Sequence, residues 1–279
     1  MLKVLKSGFY TTIQDTGRFG FRDKGVPISG VMDMTTVYKL NMLLENDQDA
    51  AVLEITMTGP TLEFEEDTFI VLGGAEMVVT LNNEPIKNYV VQKVSAGDIL
   101  SYGRLKKGFR PYLAVKHGFQ TNKVLGSRSF YPSITPNGMI TDKSEIAYKK
   151  QSVFTPKLTG LKIESILEES VLQVGKGPEF NSLTDKQLEN LFFKKYTVAN
   201  ENNRMAYQLE EKIDGHVISM LTSATLPGTV QLTPSGKLII LMKDGQTTGG
   251  YPRILQLTDT AISILAQKKA GDIIAFKLM

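Results

Sequence analysis

The residues best equipped for chemistry fall in two glycine-rich segments. The first reads Gln14-Asp15-Thr16-Gly17-Arg18-Phe19-Gly20-Phe21-Arg22 and continues through Gly25-Val26-Pro27-Ile28-Ser29-Gly30-Val31-Met32-Asp33. Glycines let a backbone approach a ligand closely and expose amides to an anion. Arg18 and Arg22 add forked donors for a carboxylate or phosphate. Asp15 and Asp33 can serve as acid/base groups or orient those arginines. The same composition also describes a structural loop whose Asp–Arg pairs tie down its ends, and composition alone leans that way. On the chemical reading Asp15, Arg18 and Asp33 are the catalytic candidates, with Ser29 a substrate contact.

The second segment is Lys243-Asp244-Gly245-Gln246-Thr247-Thr248-Gly249-Gly250-Tyr251-Pro252, at the exit of an apolar strand. Gln246, Thr247 and Thr248 offer neutral donors and acceptors suited to an amide or carboxyl group, and Tyr251 can stack or donate. The alternative is a turn in which the hydroxyls cap backbone groups. In Val124-Leu125-Gly126-Ser127-Arg128-Ser129, Arg128 is an anion contact or a surface residue. Glu54, between Leu53 and Ile55, points to one face of a strand as a buried partner for an arginine. His117 and His216 read as structural or solvated, since neither has a triad partner at a telling spacing.

Absent motifs narrow the chemistry. The chain has no Cys, which excludes disulfides, thiolate metal sites and Cys nucleophiles, and only two His, which excludes a multi-histidine zinc site. No metal ligands are therefore assigned. Gly175-Lys176 and Gly236-Lys237 lack the rest of a P-loop. Neither a Gly-x-Ser-x-Gly elbow nor His-Glu-x-x-His occurs, and a biotin-carrier Met-Lys-Met is missing. A nucleotide or carboxyl group must be held in some other way or delivered by another protein.

The elements that position these residues are mostly short strands. With 279 residues, 42% hydrophobic and 22% charged, the chain can bury one large core or two ordinary ones. A net charge of +3 gives no footing for a nucleic-acid partner. The run 69–81 carries Glu76 and is too short to span a bilayer, and the N-terminal string has no signal-peptide core, so a soluble cytoplasmic protein is expected. The runs 69–72, 77–81, 111–115 and 238–241 read as strands. Helical signals are three: Val37, Leu40, Leu43 and Leu44 after a cap at Asp33 or Thr35; the capping box Thr184-Asp185-Lys186-Gln187; and Ala261, Ile262 and Leu265 after Thr258 or Asp259.

Ala96-Gly97-Asp98-Ile99-Leu100 recurs as Ala270-Gly271-Asp272-Ile273-Ile274. Two looser echoes at the same offset link 59–64 with 227–232, and Leu2 to Asp15 with Leu172 to Asp185. The expectation is a duplicated, mainly β protein with domains 1–155 and 156–279 and a join near Pro156.

The two glycine-rich segments, with Leu53-Glu54-Ile55-Thr56, Gly73-Gly74-Ala75, Arg110-Pro111-Tyr112-Leu113-Ala114-Val115, Leu125-Gly126-Ser127-Arg128-Ser129 and Ala270-Gly271-Asp272, resemble the biotin-dependent carboxyltransferase family. That family also contains the C subunit of 5-oxoprolinase, KipA and the allophanate hydrolase subunit 2 proteins. The likeness runs over nearly the whole chain and departs from the family pattern at His117, at 137–150, and at Arg204-Met205-Ala206-Tyr207. It implies two tandem cyclophilin-like β-barrel domains with a few short helices. It also implies one subunit of an ATP-dependent 5-oxoprolinase, inactive without its partners: a KipI-like B component and a LamB/YcsF-like A component. ATP would be the cofactor, held here or on a partner. Two other functions stay open: a component transferring carboxyl from carboxybiotin to urea or a related amide, with biotin on a separate carrier, and a KipA-like antagonist of a KipI-type kinase inhibitor.

Overall fold

The runs 69–72 and 111–115 are apolar at successive positions because both faces of their sheet are covered. In the computed structural model, which describes every residue except Glu164 and Ser219, they lie within two long antiparallel strands, Thr68–Leu81 and Ile99–Val115. Ile70, Leu72, Leu113 and Val115 join Leu53, Ile55, Leu62 and Phe64 in one buried cluster. Val71, Tyr112 and Ala114 face the other way, under helix α1 (Met34–Leu43) and its stripe of Val37, Leu40 and Leu43. The sheet runs in the order Tyr10–Gln14, Val52–Thr56, Ile99–Val115, Thr61–Phe64, Leu2–Lys6, Glu145–Ile146. Thr68–Leu81 pairs with the long strand and with the short strands Glu84–Pro85 and Gln92–Val94.

Helix α1 starts where the sequence expects it, with Asp33 accepting from the Thr36 amide at 2.9 Å. It stops where the chain turns at Glu45 (φ 48°), and Lys116 donates to the carbonyls of Leu44 (2.6 Å) and Glu45 (3.1 Å). Those are carbonyls the last turn leaves without an intrahelical donor.

The second unit is a closed seven-stranded barrel. Its order is Val171–Lys176, Arg253–Leu257, Thr229–Leu232, Lys237–Leu241, Ala206–Lys212, Tyr196–Asn202, Ile273–Leu278. The last strand returns to the first in parallel, so no long edge is left open. Helix α2 (Asp185–Phe193) carries both halves of the Thr184–Gln187 capping box, and α3 (Asp259–Ala266) is capped by Thr258.

The compact units are Met1–Arg18 with Ser29–Leu167, and Phe19–Ile28 with Glu168–Met279. The division therefore falls after Leu167 rather than near Pro156. Residues 156–167 stay with the first unit because Val91 donates to Thr159 (2.9 Å), Leu161 donates to Tyr89 (3.0 Å), and Leu161 packs beside α1.

The repeat survives in its turn. Gly97 and Gly271 sit at φ 90° and 87°, and Asp98 and Asp272 accept from the amides of Ser95 (2.7 Å) and Lys269 (2.9 Å). The looser echoes part company. Leu2–Lys6 pairs with Thr61–Phe64, whereas Val171–Lys176 pairs with Arg253–Leu257 and Ile273–Leu278. Asp185, the echo of Asp15, opens a helix instead of ending a strand.

No helix among the described residues is long and apolar enough to cross a membrane.

Candidate functional site

In the first unit the glycine-rich segment is knotted to residues 127–129 through Asp15. Its Oδ1 accepts from the hydroxyls of Ser127 and Ser129, both at 2.6 Å, and from the Gly17 amide at 2.8 Å; Oδ2 accepts from the Arg128 amide at 2.6 Å. A carboxylate that accepts from four donors ties the loop down at both of its oxygens. Arg18, also buried, donates through Nη2 to the Ser129 carbonyl at 2.5 Å. The Arg128 guanidinium is spent on the Thr121 carbonyl and on Gln120 Oε1 (3.2 Å).

Ser29 is fully buried in the left-handed region (φ 56°), and its hydroxyl has no hydrogen-bond partner among the described residues. Strain of that kind in a non-glycine residue gathers at ligand sites. Gly30 beside it (φ 83°) must be glycine, because a Cβ would come within 2.8 Å of the Thr16 carbonyl.

Asp33 holds helix α1: Oδ2 accepts from the Thr36 hydroxyl at 2.7 Å and its own amide donates to Tyr112 at 2.9 Å. Glu54 is buried as the sequence expects. It accepts from the Met32 amide (2.7 Å) and the Tyr112 hydroxyl (2.9 Å), with Arg110 Nε at 4.0 Å. Burial, followed by the nearby Glu54 and Asp33 charges, pushes the Tyr112 phenol well above its ordinary range.

In the second unit, residues 243–252 leave the strand Lys237–Leu241 and are anchored from behind. Asp244 accepts from Arg204 Nε at 2.8 Å and Nη2 at 3.2 Å, and its amide donates to the Arg204 carbonyl at 2.8 Å. Thr248–Gly249 pairs with Ser223–Ala224. The Thr225 amide donates to the Thr247 carbonyl (3.0 Å) and the Thr225 hydroxyl to the Gln246 carbonyl (2.5 Å). Arg22, carried into this unit by Phe19–Ile28, donates through Nη2 to the Thr225 carbonyl and lies 3.5 Å from that of Thr247. Burial lowers its pKa from the ordinary arginine value. Arg253 is paired with Glu179 at 2.7 Å and holds that carboxyl below its ordinary range.

The site residues read from the sequence thus divide by unit. Asp15, Arg18, Ser29 and Arg128 meet in the first, where Asp15 and Arg128 are structural ties and Asp33 is a helix cap. Gln246, Thr247, Thr248 and Tyr251 share the second, with Gln246, Thr248 and Tyr251 exposed and Thr247 half-buried. Sequence reasoning groups Arg22 with Arg18 as an anion contact; the geometry places it on the threonine-rich loop. Gln231 escapes sequence reasoning altogether. It is 1% exposed and its Nε2 has no hydrogen-bond partner among the described residues. A polar residue inside the apolar strand string Val230-Gln231-Leu232 is the signal that could have found it.

Comparison with known proteins gives a consistent set of relatives. The family model described as a carboxyltransferase domain, subdomain A and B, matches residues 24–278. The C subunit of the 5-oxoprolinase of Escherichia coli (strain K12) is 33% identical over 99% of this chain and 90% of its own length. The crystal structure of TTHA0988 superposes with a TM-score of 0.87 at 25% identity, covering 99% of this chain and 55% of that one. The crystal structure of the Kluyveromyces lactis urea carboxylase superposes with a TM-score of 0.87 at 27% identity, covering 99% of this chain and 27% of that one. The chain therefore spans most of the Escherichia coli protein, about half of TTHA0988 and a minor part of the urea carboxylase.

Proposed function

The chain belongs to the carboxyltransferase family of subdomains A and B, and from that premise we propose that it works as the C subunit of an ATP-dependent 5-oxoprolinase. The observation that carries this reading is the likeness to the C subunit of a bacterial 5-oxoprolinase, which extends over nearly the full length of both chains. The donor set of the second unit, with Arg22, Gln231, Gln246 and Thr247, suits a small substrate bearing an amide and a carboxylate.

The reaction explains why partners are needed. A lactam resists water because amide resonance stabilises its carbonyl. Transfer of the γ-phosphoryl group of ATP to the lactam oxygen activates that carbon. Water then adds there, the C–N bond breaks as nitrogen takes up a proton, and a second water releases phosphate. The products are glutamate, ADP and phosphate. Donors aimed at the oxygen where charge develops would assist each step. This chain has none of the P-loop residues that cradle phosphates, so we place ATP on a KipI-like B component or a LamB/YcsF-like A component, in a cytoplasmic complex.

The test is to combine the chain with both partners and measure 5-oxoproline-dependent ATP hydrolysis. Omitting this chain should abolish turnover; unchanged turnover without it would refute the assignment. The likeness to a urea carboxylase supports a second reading, carboxyl transfer from carboxybiotin on a separate carrier to urea or a related amide. Acceptor-dependent decarboxylation of a carboxybiotinylated carrier, with no oxoproline turnover, would favour it. Tight binding to a KipI-like partner that survives loss of Arg22 and Gln246, with neither activity present, would point to an antagonist.

A further inference from the structure

We infer that the donor-lined face around Gly249 reads the two ends of the substrate, Gln231 pairing with the lactam edge and Arg22 with the carboxylate. This rests on the oxoprolinase reading and names the groups that recognise the substrate within it.

Gln231 lies between Val230 and Leu232, both buried in the barrel. Strand alternation therefore sends its side chain to the outer surface of the wall. It is buried there all the same, because the Thr248–Gly249 strand passes close over it: a Cβ on Gly249 would stand 2.5 Å from Gln231 Nε2 and 2.8 Å from Gln246 Nε2. A buried amide nitrogen without a partner is costly and uncommon in a folded protein.

The carboxamide has a distinctive complement. It presents a donor and an acceptor side by side, and a lactam, whose ring forces the amide cis, presents an acceptor and a donor in the same way. The two can form a pair of parallel hydrogen bonds. A trans peptide points its N–H and C=O in opposite directions and cannot, so the pairing selects ring amides over ordinary peptide. Gln246, exposed at the edge of the same point, is free to swing aside as the ligand enters.

Arg22 supplies the second contact. Its Nη2 is satisfied by neutral carbonyls, those of Thr225 and Thr247, while Nη1 is buried with no hydrogen-bond partner among the described residues. A half-buried guanidinium whose hydrogen-bond acceptors are neutral carbonyls favours an incoming anion, and a carboxylate fits its fork. Thr225 joins the two contacts: its carbonyl holds Arg22, and its Cγ2 lies 3.4 Å from the same Gly249 Cβ position.

The experiment uses the complex with both partners at saturating ATP, and reads the KM for 5-oxoproline and the inhibition constant of 2-pyrrolidinone, a lactam with no carboxylate. Gln231→Leu removes both of the paired hydrogen bonds and should raise both constants about tenfold to a hundredfold. Arg22→Met should raise the KM about tenfold or more and leave the 2-pyrrolidinone constant within about twofold. Gln231→Glu and Arg22→Lys, which preserve size and charge respectively, take their place if the first pair fails to fold. Unchanged constants in the Gln231 variants, or equal shifts of both constants in the Arg22 variants, would overturn the inference. If the wild-type chain proves dispensable for turnover, the oxoprolinase reading has failed instead, and the two failures are told apart.

Discussion

Arg22 donates to the carbonyl oxygen of Thr225, a residue 203 positions further along the chain. Through that bond and its approach to Thr247, the front glycine-rich segment takes part in the threonine-rich loop of the barrel. Arg18, in the same segment, belongs to the first unit and is committed to Ser129. The two arginines, alike in sequence context, have different tasks: one stiffens a loop, the other furnishes a donor.

Gly249 lies directly against the amide ends of two glutamine side chains. Gly249→Ala would place carbon 2.5 Å from Gln231 Nε2 and 2.8 Å from Gln246 Nε2. The resulting overpacking should cost about 1–3 kcal/mol and lower oxoproline turnover further than the stability loss explains. Gly250→Ala is the control, since nothing lies within 4 Å of its Cβ position. Thermal melts and turnover of the two variants side by side check this; equal behaviour would refute the close-approach argument.

What could be read from the sequence was mostly local. The caps at Asp33, Thr184 and Thr258 bond to residues three positions on, so spacing alone carries them. Glu54 was legible because a lone carboxylate inside an apolar strand must find partners. Asp15 was legible as important, but its bonding was not. Its hydroxyl donors, Ser127 and Ser129, lie more than a hundred residues away, and no local pattern shows that four donors converge on it. Gln231 carried a local signal, a polar residue in an apolar strand, but the strand that covers it lies outside any local pattern.

Asp15 should behave as an anchor. Asp15→Ala strands two buried hydroxyls and two half-buried amides and should destabilise the protein by about 3 kcal/mol. Asp15→Asn keeps an acceptor for the two serines and Gly17 but turns an amide toward the Arg128 N–H, and should cost less. Urea unfolding measures both. If Asp15→Asn instead leaves stability unchanged and abolishes turnover, the carboxylate is a catalytic group rather than a tie.

The acid limb of stability should depend in part on Glu179. Arg253 hydrogen-bonds its carboxylate and lowers its pKa below the ordinary 4.5. The folded state therefore holds this proton less tightly than the unfolded state. The stabilisation is complete above the unfolded value and disappears as pH falls through the lower folded value. Glu179→Gln should be less stable than wild type near neutrality, and the gap should close below about pH 4.5. A gap that persists undiminished at pH 3 would show that packing, not charge, is responsible.

Arg204 and Asp244 hold the threonine-rich loop from beneath, and their pairing predicts a non-additive pattern. Arg204 is 6% and Asp244 12% exposed, with two hydrogen bonds between them. Removing one partner leaves the other charge poorly solvated, so Arg204→Met and Asp244→Leu should each cost about 3–5 kcal/mol. The double variant buries no unpaired charge and should be more stable than either single variant, a strongly non-additive result. Turnover should follow a different course. Because the pair fixes where residues 243–252 leave the barrel wall, the double variant should regain stability without regaining the wild-type KM for oxoproline. Chemical unfolding and steady-state kinetics on the three variants separate the two effects. Recovery of KM together with stability would mean that the pair supports the fold of the unit and does not position the loop.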